Sequence, residues 1–365
     1  MANIESGPPV AVAAEQFKQG GRLASRMVAS VALPAAAVLV ALICGAVLLA
    51  ASGFNPWDVF TVMLAGVFQD MRSIAEVLLK ATPLILIGVG LCVAFRCSIW
   101  NIGAEGQLYA GAVAATAVGV AFDGLTAWVY VPLVIVAGAL AGAAWAAIAG
   151  LLKIYFRASE IVTTIMLNYI AIISTSYLVT GPLRDAAAAY PQSARLVKEA
   201  WMPRILPPTR LHVGILIALM LAVAVYVFLF RSSKGFAVRV VGISPHAARY
   251  AGMSVSRNIM LAICISGAMA GLAGAFEIAG VTRRLYQNIS PGYGFEGIAV
   301  ALLANNNPIG AIFSGVLFAV LRSGSELMQI TAQVPQVLVS VIQGIVILSV
   351  VGFGVYRYRA VRPSE

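Results

Sequence analysis

The residues most able to do chemistry are amides, hydroxyls and a few carboxylates set into apolar sequence. Asn101 and Glu105 are four apart in the stretch Phe95–Gln107, so in a helix they share a face. Gly103 and Gly106 in the same stretch allow an unwound backbone there. Glu160, Thr164 and Asn168 recur every fourth residue and draw a polar stripe that ends beside Tyr169. Such groups, set in apolar sequence, line a polar path or bond to neighbouring helices. No Ser/His/Asp constellation is present, and only His212 and His246 could serve as histidine ligands. Cys44, Cys92 and Cys264 lie inside apolar runs and Cys97 just past one, without metal-ligand spacing. A phosphate loop is also missing, since Ser232-Ser233-Lys234-Gly235 does not fit its pattern. The chain therefore reads as a non-enzyme that holds or conducts something, with no cofactor and no metal.

The elements around these residues are set by composition. Of 365 residues, 61% are hydrophobic and 10% charged, with mean hydropathy +0.93. Soluble domains carry about 25% charged residues, and no soluble fold of this length hides so much apolar surface. The expected fold is all-α: a polytopic integral membrane protein of about ten transmembrane helices, two of them interrupted or re-entrant. A net charge of +10 could suggest nucleic acid. The basic residues are scattered between apolar runs without a basic face, so cytoplasmic loops explain them and nucleic acid is excluded.

Uninterrupted spans are expected at Met27–Ala51, Val77–Phe95, Trp128–Leu152, Ile161–Thr180, Leu211–Phe230, Asn258–Phe276 and Pro335–Tyr356. The first is too long for the apolar core of a cleaved leader and reads as a retained span. Ile99–Ala121 opens on the polar Asn101–Gln107 stretch, and Gly297–Leu321 is broken by Asn305-Asn306-Asn307-Pro308. Splitting the latter, with a short element from near Gly292 to near Ala304, gives ten crossings. Both basic ends then lie in the cytoplasm. The divisions that follow are a cytoplasmic segment 1–26, a membrane domain 27–356 and a cytoplasmic tail 357–365. The pairs Gly138/Gly142 and Gly267/Gly271, with Gly274, are expected to let helices approach closely.

The longest cytoplasmic loop, Arg231–Arg257, contains a complete short helix. Ser244 is the N-cap, Pro245 the first helical position and Gly252 the terminator. Between them stand His246, Ala247, Ala248, Arg249, Tyr250 and Ala251. So short a helix is marginal in water and must dock on something. Two readings of Phe95–Gln107 stay open: a polar element beside a translocation path, or a turn whose Glu105 pairs with Arg96. For Glu160, Thr164 and Asn168 the choice is likewise a pore lining or bonds to neighbouring helices, with Asn168 the deeper group.

Several motifs in order resemble the nucleoside-type branch of bacterial ABC importer permeases. They are Phe95-Arg96-Cys97 through Asn-Ile-Gly-Ala-Glu-Gly-Gln, Ile165–Ile170, Gly181-Pro182-Leu183, Arg239–Gly252, Ser266–Gly274 and Gly294–Leu303 followed by Asn-Asn-Pro. Asn305 departs from the pattern, where a small residue is expected. The resemblance spans residues 75 to 350 and implies a bacterial inner-membrane importer. Its permease chains pair with a second permease subunit, identical or paralogous. An ABC ATPase subunit docks beneath, and an extracytoplasmic solute-binding protein delivers a small polar solute. Residues 245–252 would be the coupling segment to the ATPase, and Asn101, Glu105, Thr164, Asn168 and Tyr169 candidates for the solute path. The same superfamily carries simple sugars such as ribose, the first alternative. A secondary transporter relaying ions through Glu105 and Glu277, or a membrane scaffold, are rivals that need no docking helix.

Overall fold

The computed structural model describes residues 39–361 apart from 41 and 123. The expected segment 1–26, the start of the Met27–Ala51 span and the end of the tail lie outside the described residues. Everything else described is helix and connection: α1 (Leu42–Ala51), α2 (Pro56–Val67), α3 (Met71–Arg96), α4 (Ala104–Ala121), α5 (Ala127–Phe156), α6 (Glu160–Thr180), α7 (Gly214–Arg231), α8 (Ser233–Ile243), α9 (Pro245–Tyr250), α10 (Val255–Phe276), α11 (Tyr293–Leu303), α12 (Pro308–Ile330) and α13 (Gln336–Val361). Only isolated β-bridges occur among the described residues.

Among the described residues, six helices are long and apolar enough to cross a membrane: α3, α5, α6, α7, α10 with its extension, and α12. The chain is a multi-pass membrane protein, and its exposed apolar side chains are the face that meets lipid. Leu140 on α5, Ile173 on α6 and Met220 on α7 are among them. At the centre, α3 is buried over most of its length and packs against α10, α12 and α11. It begins earlier than apolarity suggests, at Met71, because Asp70 Oδ1 accepts the Ser73 N–H at 2.6 Å and caps it. The first turns carry Arg72, Glu76 and Lys80, which masked them in the sequence. Glu76 takes Arg210 through two bonds, at 3.0 and 2.7 Å, and Lys80 pairs with Glu326 of α12.

The small-residue pairs do what their spacing predicts. A β-carbon on Gly142 would fall 2.7 Å from the Gly271 α-carbon, and one on Gly271 2.9 Å from that of Gly142. Helices α5 and α10 therefore touch backbone to backbone, which supplies dispersion contact where lipid gives no hydrophobic drive. Two elements had no expectation: α8, inside the loop read as Arg231–Arg257, and α2. Asn55 caps α2 by accepting the Trp57 N–H at 3.1 Å, Pro56 opens it, and it lies on α12 beneath Gly324. Being 12 residues long, it is too short for the span template. Helix α10 continues past Phe276 as a π-helical turn, Glu277–Thr282, before Arg283 turns the chain with φ 58°.

Candidate functional site

Both interrupted elements are broken helices. The first break follows α3. Ser98 takes φ 55°, and Ile99 to Gly103 are non-helical until α4 starts at Ala104. The second follows α11, which has 11 residues and a length of about 16 Å, half of a bilayer core. Asn305 and Asn306, at φ 53° and 54°, turn the chain into α12.

Depth can be read from the neighbours. At the end of the bundle that carries α9, Cys97 Sγ lies 3.8 Å from the Asn258 carbonyl near the start of α10. Asn101 Nδ2 donates to Ser266 Oγ at 2.9 Å, two turns or about 12 Å further along α10. The chain after Ser98 therefore runs back into the bundle, and α4 starts at mid-depth. On α6, Glu160 pairs with Lys153 at 2.6 Å at the same end, and Asn168 lies about 12 Å deeper.

A helix that begins inside a membrane leaves its first N–H groups without water. Gly103, the N-cap of α4, has no side chain to satisfy them. Helix α6 satisfies them instead. Asn168 Oδ1 accepts the Gly106 N–H at 2.8 Å, and Asn168 Nδ2 donates to the Ile102 carbonyl at 2.9 Å. Thr164 Oγ1 receives the Ile102 N–H at 3.3 Å. Asn101 closes its own turn, with Oδ1 accepting from Gly103 N and from Gln107 Nε2 at 3.0 and 2.9 Å.

Glu105 serves the second half-helix. Its Oε2 accepts the Gly294 N–H at 2.7 Å, in the first turn of α11, so a carboxylate sits where that helix's dipole favours an anion. Ser290 Oγ accepts the neighbouring N–H groups of Gly292 and Tyr293 at 3.2 and 3.1 Å. Gly294 packs on the Glu105 backbone, where any β-carbon would collide. The pairing of Glu105 with Arg96 is not formed. Arg96 donates from Nε and Nη2 to the carbonyls of Asn306 and Asn305 at 3.0 and 3.2 Å, anchoring the second break.

Asn101, Glu105, Thr164 and Asn168 are thus brought together, each at most 3% exposed, with Ser266, Gln107 and Ser290 completing the cluster. Tyr169 is 60% exposed and points away from them. Sequence reasoning missed Ser266 and Ser290 as partners, although Ser266 opens the small-residue run of α10. At the α9 end, Ser244 Oγ accepts the Ala247 N–H at 3.2 Å, Pro245 opens α9, and Gly252 at φ 76° ends it. Pro245, His246, Ala247, Arg249, Tyr250, Ala251 and Gly252 are exposed, but Ala248 faces the protein's own interior. A docking face must be built from the others. Among the described residues no group of histidine, cysteine and acidic side chains could hold a metal ion.

Residues 73–351 match the family model described as "Branched-chain amino acid transport system / permease component". This chain belongs to that family. A guanosine ABC transporter permease of Bacillus subtilis (strain 168) is 38% identical over 89% of this chain and 94% of its own. A glucose ABC transporter permease of Haloferax volcanii is 37% identical, over 89% and 88%. A nucleoside ABC transporter permease of Lactococcus lactis subsp. cremoris is 30% identical, over 92% and 96%. No solved structure matches the chain. The permease is thus the membrane subunit of an ABC importer and not its enzyme. ATP hydrolysis belongs to a separate subunit, and the family works with a solute-binding protein.

Replacing Asn168 by Leu tests the geometry of the break. It strips the Ile102 carbonyl and the Gly106 N–H of their partners at mid-membrane. The expected loss is about 1–3 kcal/mol of stability, read as a lower detergent melting temperature than wild type. Unchanged melting would show that those bonds do not hold the break.

Proposed function

We propose that the permease carries a nucleoside across the bacterial inner membrane, together with a second permease subunit, identical or paralogous. The observation that carries this reading is the likeness to the guanosine permease over nearly the whole of both chains, reinforced by the nucleoside permease of L. lactis. The glucose permease is almost as similar, which keeps a simple sugar as the second reading. An ion relay has less support: Glu105 is bound to the α11 N-terminus and is not free to shuttle ions. In a strain lacking this chain, uptake of radiolabelled guanosine is expected to fall, and in wild type excess adenosine competes while excess glucose does not. Loss of glucose uptake with guanosine uptake intact would replace the nucleoside by a sugar.

In this reading Asn101, Glu105, Thr164 and Asn168 shape the path by holding two half-helices at mid-depth, and Tyr169 stands outside it. Residues 245–252 dock on the ATPase through the exposed side chains of α9. Tyr250, at 95% exposed, makes no contact that the fold needs. Tyr250→Asp is therefore expected to leave insertion and melting unchanged and to remove the ATPase from the purified complex. Retention of the ATPase would refute the docking role. Ala248→Glu cannot serve, because it buries a carboxylate inside the permease.

The α9 end is assigned to the cytoplasm, with both termini, the segment 1–26 and the tail 357–365. The split at Asn305–Pro308 then belongs to the same side, since Arg96 ties it to the α9 end. In a background without the four native cysteines, Asn305→Cys should react with an impermeant thiol reagent only from the cytoplasmic side. Labelling from outside would reverse the orientation.

A further inference from the structure

The end of α3 and the turn that follows it touch α7, α8 and the second break at once. Ser98 Oγ donates to the Gly242 carbonyl at 2.6 Å, on the last turn of α8 just ahead of α9. Gly242 in turn sits directly on the Arg96 carbonyl, and a β-carbon there would lie 2.9 Å from the Arg96 carbonyl carbon and 3.0 Å from that of Cys97. No side chain separates the two backbones, so a shift of α8 toward α3 pushes the turn. Arg96 extends the contact to the second break through the Asn305 and Asn306 carbonyls. Its guanidinium also lies 5.5 Å from the Phe230 ring at the end of α7, and Arg239 of α8 lies 5.3 Å from the same ring. Beyond Ser98 the chain leads through Ile99 and Trp100 to Asn101, the first member of the buried polar cluster.

The backbone at these joints is special. Ser98 holds left-handed backbone that a serine rarely adopts, Asn305 and Asn306 hold it as asparagines more readily do, and each is held by the contacts just described. On the α9 side, seven of the eight residues from Pro245 to Gly252 are exposed. A push on α9 has a short, packed route to both helix breaks.

We infer that Arg96, Ser98 and Gly242 are positioning residues that couple movement of the α8–α9 pair to the two broken helices, and so couple ATP turnover to solute passage. This rests on the proposed docking of α9. The three residues need touch neither ATP nor solute. Arg96 fixes the α11–α12 break against the end of α3, while Ser98 and Gly242 fix α8 against the re-entrant chain. Weakening them should leave both machines intact and separate them from each other.

The test uses the whole transporter, purified with its ATPase and reconstituted, with radiolabelled guanosine as the probe (glucose if the uptake assay selects it). Ser98→Ala and Arg96→Ala are expected to retain the ATPase and hydrolyse ATP within about twofold of wild type, while solute moved per ATP falls about fivefold or more. Arg96→Lys, which can still reach one carbonyl, should restore part of the ratio. A wild-type ratio in Ser98→Ala and Arg96→Ala would overturn the inference, and so would loss of the ATPase from Ser98→Ala. Tyr250→Asp, run in parallel, keeps the two claims apart. If that variant retains the ATPase, the docking of α9 has failed, whatever ratio the others give.

Discussion

A backbone N–H inside hydrocarbon has no water to bond, so a helix that starts at mid-membrane needs acceptors brought to it by the rest of the protein. Helices α4 and α11 both start there, and their first turns meet at Glu105 and Gly294. Most of the unusual polar chemistry of this chain follows from that constraint. Asn168 of α6 caps α4 from across the bundle, Glu105 of α4 caps α11, and Ser290 takes the two N–H groups that Glu105 leaves. The bonds form a relay: α6 places the start of α4, and α4 through Glu105 places the start of α11.

The constraint explains why carboxylates and amides persist in so apolar a sequence. A buried Glu105 is costly, and two features offset part of that cost: a short bond to a backbone donor and the positive end of a helix. It also explains the glycines beside the cluster. A β-carbon on Gly106 would lie 2.9 Å from the Asn168 α-carbon, so the cap reaches α4 only because that position is bare. The same economy of volume brings α5 and α10 into backbone contact through Gly142 and Gly271. A bundle built this way has rigid interfaces and a few joints, which suits a protein whose helices must take two arrangements under the control of an ATPase.

Much of this was legible in the letters, for physical reasons that differ by element. The apolar runs of α5, α6, α7 and α10 announce themselves because lipid admits little else. The Ser244-Pro245 start and Gly252 stop of α9 are local chemistry, and the helix lies where they put it. The breaks at Gly103 and Asn305 were visible as polar or glycine-bearing interruptions. What the interruptions bond to was not, because Asn168 and Ile102, or Glu105 and Gly294, are brought together only by tertiary packing. Helix α2 escaped notice because a 12-residue element with Asp58 in its first turn fits no span template. The inward face of Ala248 was equally hidden, since a hexapeptide helix does not declare its own inside.

Amide hydrogen exchange in lipid nanodiscs tests the account at its centre. Peptides covering residues 99–107 and 290–296 should exchange nearly as slowly as the buried part of α10 when the transporter is at rest, because most of their N–H groups are bonded within the bundle. Under ATP turnover, release of 99–107 should speed up 290–296 as well, since α11 is capped through Glu105 of α4. Fast, loop-like exchange of either peptide at rest, or acceleration of 99–107 without 290–296, would contradict a relay of capped broken helices.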